Sequence, residues 1–218
     1  MGAKARLNKE TLVSTALELA DADGLDAVTT RRLAQHHGVT PMALYRHFRD
    51  KDEILDAVAE RLLTEAELPE PDDRPWHEQL LDVFDALLRA LRPHPAAAAL
   101  VLSRVLSSEP GLKLAERALA LLAEAGFSVD RAAETSSQAL SSLVALVLTE
   151  PGRGAAIADK EKRDEEITAK RAALAALPQT RYPHVVAAAD ALVDCASDEV
   201  YYARGTAMIV AGMRAADV

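Results

Sequence analysis

Residues 29–51 hold two short apolar stretches hinged on Gly38, the second opened by Thr40 and Pro41, and no other segment constrains the fold as tightly. Thr29 or Thr30 can cap a first helix whose inward side is Leu33 and Ala34. Gly38 supplies the left-handed conformation that ends a helix without steric penalty, and Val39 is placed to pack beneath the corner. Thr40 is expected to accept from the free N–H groups of the next turn, while Pro41 suits the first helical position, where its missing donor costs nothing. With Leu44 and Phe48 turned inward, Met42, Ala43, Tyr45, Arg46 and His47 face outward on a short exposed helix. The pattern is a helix-turn-helix, the geometry that offers a helix to a DNA major groove.

The rest of the chain reads as further helices. Half of the residues are hydrophobic but only 4% are aromatic, so the apolar content is Ala, Leu and Val, which favours helices over sheets. Asn8 is placed to cap a helix carrying Leu12, Val13, Ala16, Leu17 and Ala20 and ending before Gly24. Asp50 and Glu53 have capping-box spacing for a helix over about 51–68 that joins two parts of the chain. The Pro-rich segment 69–75 is a break, followed by an amphipathic helix over 76–91 and further helices over 95–106, 110–125 and 129–150. Pro151, Gly152 and Gly154 interrupt this order, and the mixed charges of 159–166 read as a solvated face or loop leading into an Ala-rich helical stretch to Leu177. The last two helices are expected over 183–195 and 198–215. The fold class is therefore all-α, with an N-terminal helix-turn-helix domain over 1–51 and a larger helical domain over 52–218, sizes that a chain of 218 residues can support.

Charge is shared unevenly. Residues 1–51 carry eight Lys and Arg against six Asp and Glu, a net of +2, which leaves −11 for the remainder of a chain whose total is −9. A mildly basic head on an acidic body suits a protein that meets DNA at one end only. The excess is small, so Arg31, Arg46, Arg49 and Lys51 have to act from one face. The longest apolar run is the seven residues 96–102, too short to cross a bilayer, and residues 1–10 lack the apolar segment of a secretion signal; a cytoplasmic location without membrane contact is expected. Cys195 is the one cysteine and reads as a small core residue.

The span 7–51 resembles the DNA-binding domain of the TetR family of transcriptional regulators. Four features carry the resemblance in order: the helix beginning at Asn8, the Gly24-Leu25-Asp26 turn, the Thr29-Thr30-Arg31-Arg32-Leu33-Ala34 start, and the Ala43-Leu44-Tyr45-Arg46-His47-Phe48 helix running into Lys51. The resemblance implies a homodimeric regulator, most often a repressor, that binds a palindromic double-stranded operator and is released by a small-molecule effector. By the same resemblance, Arg31 matches a position that reaches a base edge, Tyr45 and His47 match exposed positions touching phosphate or bases, and Thr30, Thr40 and Lys51 match phosphate contacts. Pro41, Met42 and Ala43 would offer apolar contact to thymine methyls. Pro41 stands where the tetracycline repressor has glutamine, which implies a different operator. The helices over 129–150 and 198–215 would pair with their copies in a second subunit. The row Ala203, Ala207 and Ala211 suits such a seam, because small side chains let helices approach, and it equally suits packing on the chain's own core.

Polar residues on the apolar helices of 76–150 either satisfy one another or line a cavity, and His94, Arg104, Gln138, Ser141 and Thr149 are of this kind. The first four are the candidate effector contacts. With few aromatics, the expected pocket is aliphatic and suits a mainly apolar molecule, and nothing near 91–102 matches the metal-and-drug segment of the tetracycline repressor. No cofactor, metal site or catalytic residue is indicated: the six histidines include no helix-face pair at ligand spacing, and no phosphate loop or nucleophile elbow occurs. A helical partner-binding or ligand-binding module without DNA binding remains the alternative, distinguished by whether Arg31, Tyr45 and Lys51 are functional.

Overall fold

The computed structural model describes residues 7–150, 160–193 and 198–215, all of its regular structure being helical. Helix α1 (Lys9–Asp23) starts where Asn8 and Thr11 satisfy each other's backbone N–H groups, and it buries the five apolar side chains that its spacing places on one face. A short 3-10 turn over Leu25–Ala27 leads to α2 (Thr30–His36) and α3 (Pro41–Leu44). Helix α4 (Lys51–Glu65) is capped by Asp50, which accepts from the Glu53 N–H at 2.9 Å. The expected reciprocal half of that box is absent. The Glu53 carboxylate turns one residue further out to the Arg49 N–H at 2.7 Å, where the Arg49 side chain adds a charge-assisted contact that Asp50 cannot offer.

Residues 69–75 are a break, but not a loose one. The carboxamide of Gln79, buried in α5 (Trp76–Leu91), donates to the Asp72 and Arg74 carbonyls at 2.9 and 2.6 Å and accepts from the Asp72 N–H. Helix α6 (Pro95–Arg104) is shorter than the expected 95–106, because the chain tightens into a 3-10 turn over Val105–Ser107. Helices α7 (Glu109–Glu124) and α8 (Val129–Leu148) complete this bundle. Ala97 and Ala98 of α6 are fully buried, and the absence of larger side chains there lets the helix pack against both α4 and α8. Helix α4 also packs on α1, α5 and α7, and α1 packs on α6.

The chain divides into two compact units, Met1–Leu148 with Met208–Val218, and Thr149–Ala207. No such division falls at Lys51, because α1 and α4 share one core. In the second unit α9 (Lys160–Ala175) packs against α10 (Pro183–Ala187) and α11 (Ala189–Val193). The single helix expected over 183–195 is thus two, since Ala188 leaves helical dihedrals at φ −98° and ψ 6°. Helix α12 (Asp198–Ala215) has the expected bounds and runs from the second unit into the first. The Pro151, Gly152 and Gly154 interruption, Asp159 and Cys195 lie outside the described residues.

Gly111, in the first turn of α7, is required by a close approach. A Cβ there would collide with the backbone carbonyl of Val105, while the Ser108 hydroxyl caps the same turn through the Gly111 N–H. Gly111→Ala is expected to lower unfolding stability by about 1–3 kcal/mol through forced displacement of backbone. Urea denaturation checks this, and an unchanged midpoint would show that the 105–107 turn yields freely.

Candidate nucleic-acid interface and helical cavity

The helix-turn-helix is built from local backbone demands. Thr29 is extended and its hydroxyl accepts from the Arg32 N–H at 3.2 Å, which settles the choice between the two threonines. Gly38 has φ 62°, and the Val39 N–H then closes the turn on the Ala34 carbonyl at 3.0 Å. The turn is tied to α1 by the His37 ring, whose Nε2 lies 3.0 Å from the buried Thr15 hydroxyl. Thr40 occupies the cap position of α3, but its side chain makes no capping bond. Pro41 has removed one donor, and the Ala43 N–H returns to the Thr40 carbonyl at 2.9 Å, so the hydroxyl has little left to accept from.

Helix α3 is a single turn, extended by Tyr45–His47 through the His47 and Phe48 N–H groups, both of which bond to the Leu44 carbonyl. Leu44 and Phe48 are buried and fix which side faces out. Pro41, Met42, Tyr45 and Arg46 are exposed, as are Arg31 and Thr40, whereas Thr30, Ala43, His47 and Lys51 are half-buried. Met42 at 72% and Tyr45 at 50% exposure are large apolar groups with nothing over them. The cations fall into two sets. Arg32 pairs with Asp23 and Arg49 with Glu53, while Arg31 and Arg46 have no carboxylate partner among the described residues. Lys51 Nζ lies 3.3 Å from the Leu25 carbonyl.

Helices α5, α6, α7 and α8 and the 105–107 turn line a half-open cavity of about 320 Å3. Its walls are Val83, Phe84 and Leu87 of α5, Leu102 and Ser103 of α6, Leu114 and Leu119 of α7, and Ser136, Ser137 and Leu140 of α8, with no charged side chain among them. The four residues singled out from sequence do not converge there. His94 Nδ1 is 2.7 Å from Asp21 Oδ2 on α1, and Arg104 Nε donates to Asp56 Oδ1 on α4 at 2.7 Å. Gln138 lines a separate groove beside Met208, Ile209 and Gly212. Ser141 is exposed and donates to the Ser137 carbonyl. Thr149 lies 3.4 Å from the Tyr201 hydroxyl. The cavity residues Ala133, Ser136, Ser137, Leu140 and Leu143 recur at helical spacing, a pattern present in the sequence but masked by the serines.

Residues 12–58 match the family described as bacterial regulatory proteins, tetR family, and residues 68–216 match the tetracyclin repressor-like C-terminal domain. The chain belongs to the TetR family. It is a DNA-binding transcriptional regulator, and the exposed helix-turn-helix suits that role. An HTH-type transcriptional regulator of Saccharopolyspora erythraea is 31% identical over 97% of this chain and 86% of its own length. The class C tetracycline repressor of Escherichia coli is 31% identical over 95% of this chain and 91% of its own. Among solved structures, the TetR family protein ActR of Streptomyces coelicolor in complex with actinorhodin superposes with a TM-score of 0.79 at 31% identity, covering 98% of this chain and 99% of that one. BioQ with its double-stranded DNA operator gives 0.63 at 25% identity, covering 96% and 99%. No helix among the described residues is long and apolar enough to cross a membrane.

Within this TetR frame, His37 is the group through which acid is expected to weaken the helix-turn-helix. Burial, with the adjacent His36, holds its pKa below the usual imidazole value, and Glu18 opposes this only weakly. The folded state thus favours the neutral ring, while the unfolded chain takes up its proton near the ordinary value. Stability from His37 is complete above that value and drains away as pH falls through the lower folded one. His37→Gln, which keeps a polar group toward Thr15 but cannot titrate, is expected to lose less melting temperature than the parent between pH 7.5 and 5. Parallel pH profiles for the two proteins would remove His37 from the acid response.

Proposed function

We propose that this regulator is a homodimeric repressor that acts in the cytoplasm on a palindromic operator and leaves it when a small, mainly apolar effector occupies the cavity. The functional division falls at Lys51, with DNA contacts before it and effector binding and dimerisation after it. The observation that carries the DNA reading is the exposed set Arg31, Pro41, Met42, Tyr45 and Arg46, held out by buried Leu44 and Phe48 and with neither arginine paired to a carboxylate among the described residues. Arg31 is suited to the two acceptors of a guanine. Thr30, Thr40, His47 and Lys51 supply phosphate or base-edge contacts, and Ala43 joins Pro41 and Met42 against thymine methyls. Lys51 exchanges one neutral backbone bond for a phosphate, a favourable trade for an ammonium.

An uncharged, largely aliphatic cavity supports the effector class, and the actinorhodin complex of ActR shows a relative of similar fold holding a small molecule. The lining has no imidazole or carboxylate with which to hold a metal-chelated drug. The dimer is supported by the outer faces of α8 and α12. Leu148 and Met208 are 52% and 75% exposed, and Ala211 and Gly212 beside them are exposed and small enough for close helix approach. Ala203 and Ala207 are exposed as well. Two such subunits would set the recognition helices about 34–36 Å apart, one turn of duplex.

Selection of bound duplexes from a random pool tests the whole reading, and recovery of no palindrome would refute it. On the selected operator, Arg31→Ala is expected to cost about 1–3 kcal/mol and to relax preference at one base pair per half-site. Lys51→Ala should weaken all sequences alike and lower the salt dependence by about one unit. Gel shifts across a salt series distinguish the two effects, and retention of full affinity by both folded variants would move the interface elsewhere. Ala211→Arg, which brings bulk and an unpaired charge to the proposed seam, is expected to give monomers by light scattering and to lose operator binding. A dimeric variant that still binds would take α12 out of the interface.

A further inference from the structure

Of the chain's four methionines, Met1 lies outside the described residues, and the other three divide sharply by exposure. Met213 is buried at 5%, whereas Met42 and Met208 are 72% and 75% exposed. Met208 stands on the face of α12 proposed for the dimer seam, where a second subunit would cover it. Met42 is the second residue of α3 and rises from a fixed base. Pro41 before it starts the helix, the Ala43 N–H after it is bonded to the Thr40 carbonyl, and Leu44 is fully buried. Its neighbours on the surface are the exposed Pro41, Tyr45 and Arg46. The side chain is open to solvent in the free protein and covered when a duplex lies on this turn.

A thioether is oxidised by direct oxygen transfer. The sulfur lone pair attacks one oxygen of hydrogen peroxide, an S–O bond forms as the O–O bond breaks, and the proton of the transferred hydroxyl passes to the departing hydroxide. Sulfur gives up two electrons, the peroxide takes them, and the products are a sulfoxide and water. No neighbouring acid or base is needed, so access decides which methionine reacts.

We propose that Met42 is an oxidation site that makes operator binding sensitive to peroxide. In the proposed dimer it is the open thioether among the described residues, and on the duplex it is shielded. The sulfoxide replaces a soft apolar tip with a strong hydrogen-bond acceptor. In water that oxygen is solvated. Against thymine methyls and phosphate anions it meets no donor, and Arg31 and Arg46 are engaged by the duplex itself, so docking the oxidised turn strips water from the oxygen without replacing it. Oxidation therefore acts on the unbound regulator and keeps it unbound, while operator-bound protein is spared. A peptide methionine sulfoxide reductase returns the thioether and with it the affinity. The proposal rests on the DNA reading of α3.

The full chain is treated with hydrogen peroxide, alone and saturated with a selected operator duplex, and then with dithiothreitol, which reverses disulfides and sulfenic acid but leaves sulfoxides. Peptide mass spectrometry reads the oxygen gained at each methionine, and gel shifts read operator affinity. Met42 is expected to gain its oxygen faster than Met213 in the free protein and to be protected on the duplex. The oxidised parent is expected to bind the operator about tenfold or more weakly, and the reductase to restore it. Met42→Leu, which keeps an apolar side chain without the sulfur, is compared with itself before and after peroxide and is expected to change by less than about twofold. Met42→Gln imitates the polar tip without any oxidant, so it carries the test if peroxide unfolds the chain, and binding about tenfold weaker than the parent is expected. A loss that persists in Met42→Leu assigns the effect to another residue and overturns the proposal. Met42→Gln binding like the parent, or equal oxidation of Met42 on and off the duplex, overturns it as well. Failure to select any duplex overturns the DNA reading and the oxidation switch together, whereas a selected duplex bound equally by reduced and oxidised parent overturns the switch alone.

Discussion

The thinness of α6 is the constraint on which the first unit depends. Ala97 and Ala98 are wholly buried, which allows α4 on one side and α8 on another to approach the α6 backbone at small separation. A leucine at either position would have to be housed by displacing one of those helices, at the cost that overpacking brings to dense interiors. The proline at the first position of α6 and the 3-10 turn after Arg104 keep the helix short, so both of its ends emerge beside elements of the DNA-binding part. His94 meets Asp21 at one end, and Arg104 meets Asp56 at the other. The cavity is lined at the second of these ends by Leu102, Ser103, Val105 and Leu106, which places its wall and the α4 contact within a few residues of each other.

The DNA-binding surface follows from a different economy. A net charge of +2 over residues 1–51 is too small to hold a duplex by attraction alone, and two of its cations, Arg32 and Arg49, are engaged in internal ion pairs. Arg31 before the turn and Arg46 after it have no carboxylate partner among the described residues, and they bracket the apolar Pro41 and Met42. Binding must then draw on shape and placed hydrogen bonds, which makes the orientation of the exposed turn decisive. That orientation is fixed by burial of Leu44 and Phe48 below it and by the His37 contact with Thr15 behind it.

Local chemistry was legible in the sequence, and tertiary partnership was not. Asn8, Thr29, Gly38 and Asp50 act within three or four residues of themselves, so their types and spacing were enough to place α1, α2, the turn and α4. The same reasoning credited Thr40 with a side-chain cap and Glu53 with a bond to Asp50, and in each case another group lay nearer: the Thr40 carbonyl for Ala43, and Arg49 for Glu53. His94 and Arg104 stood out as polar groups on apolar stretches and were read as effector contacts, whereas they bond to Asp21 and Asp56. Their partners lie 73 and 48 positions away, on faces that no periodicity in α6 reveals. The cavity wall was obscured for the opposite reason, because Ser136 and Ser137 interrupt the apolar spacing of α8, and both line the cavity although Ser137 stays exposed.

Energy scales decide what the ties at the ends of α6 can do. The carboxylates involved are substantially exposed, with Asp56 at 56% and Asp52 at 86%, and ion pairs of that kind are worth about 1 kcal/mol or less. The apolar faces that α1, α4 and α6 bury against one another are worth several times as much, at about 25 cal/mol for each Å2 removed from water. The ties therefore cannot hold the DNA-binding helices onto the body, and breaking them cannot release those helices. They can bias the alignment of elements that packing already holds together. A bias of about 1–3 kcal/mol suffices for a coupling of five- to 150-fold between two sites. Such a coupling is large enough to empty an operator and small enough to be reversed when the ligand is diluted, provided that the packed helices have two alignments of nearly equal energy to choose between.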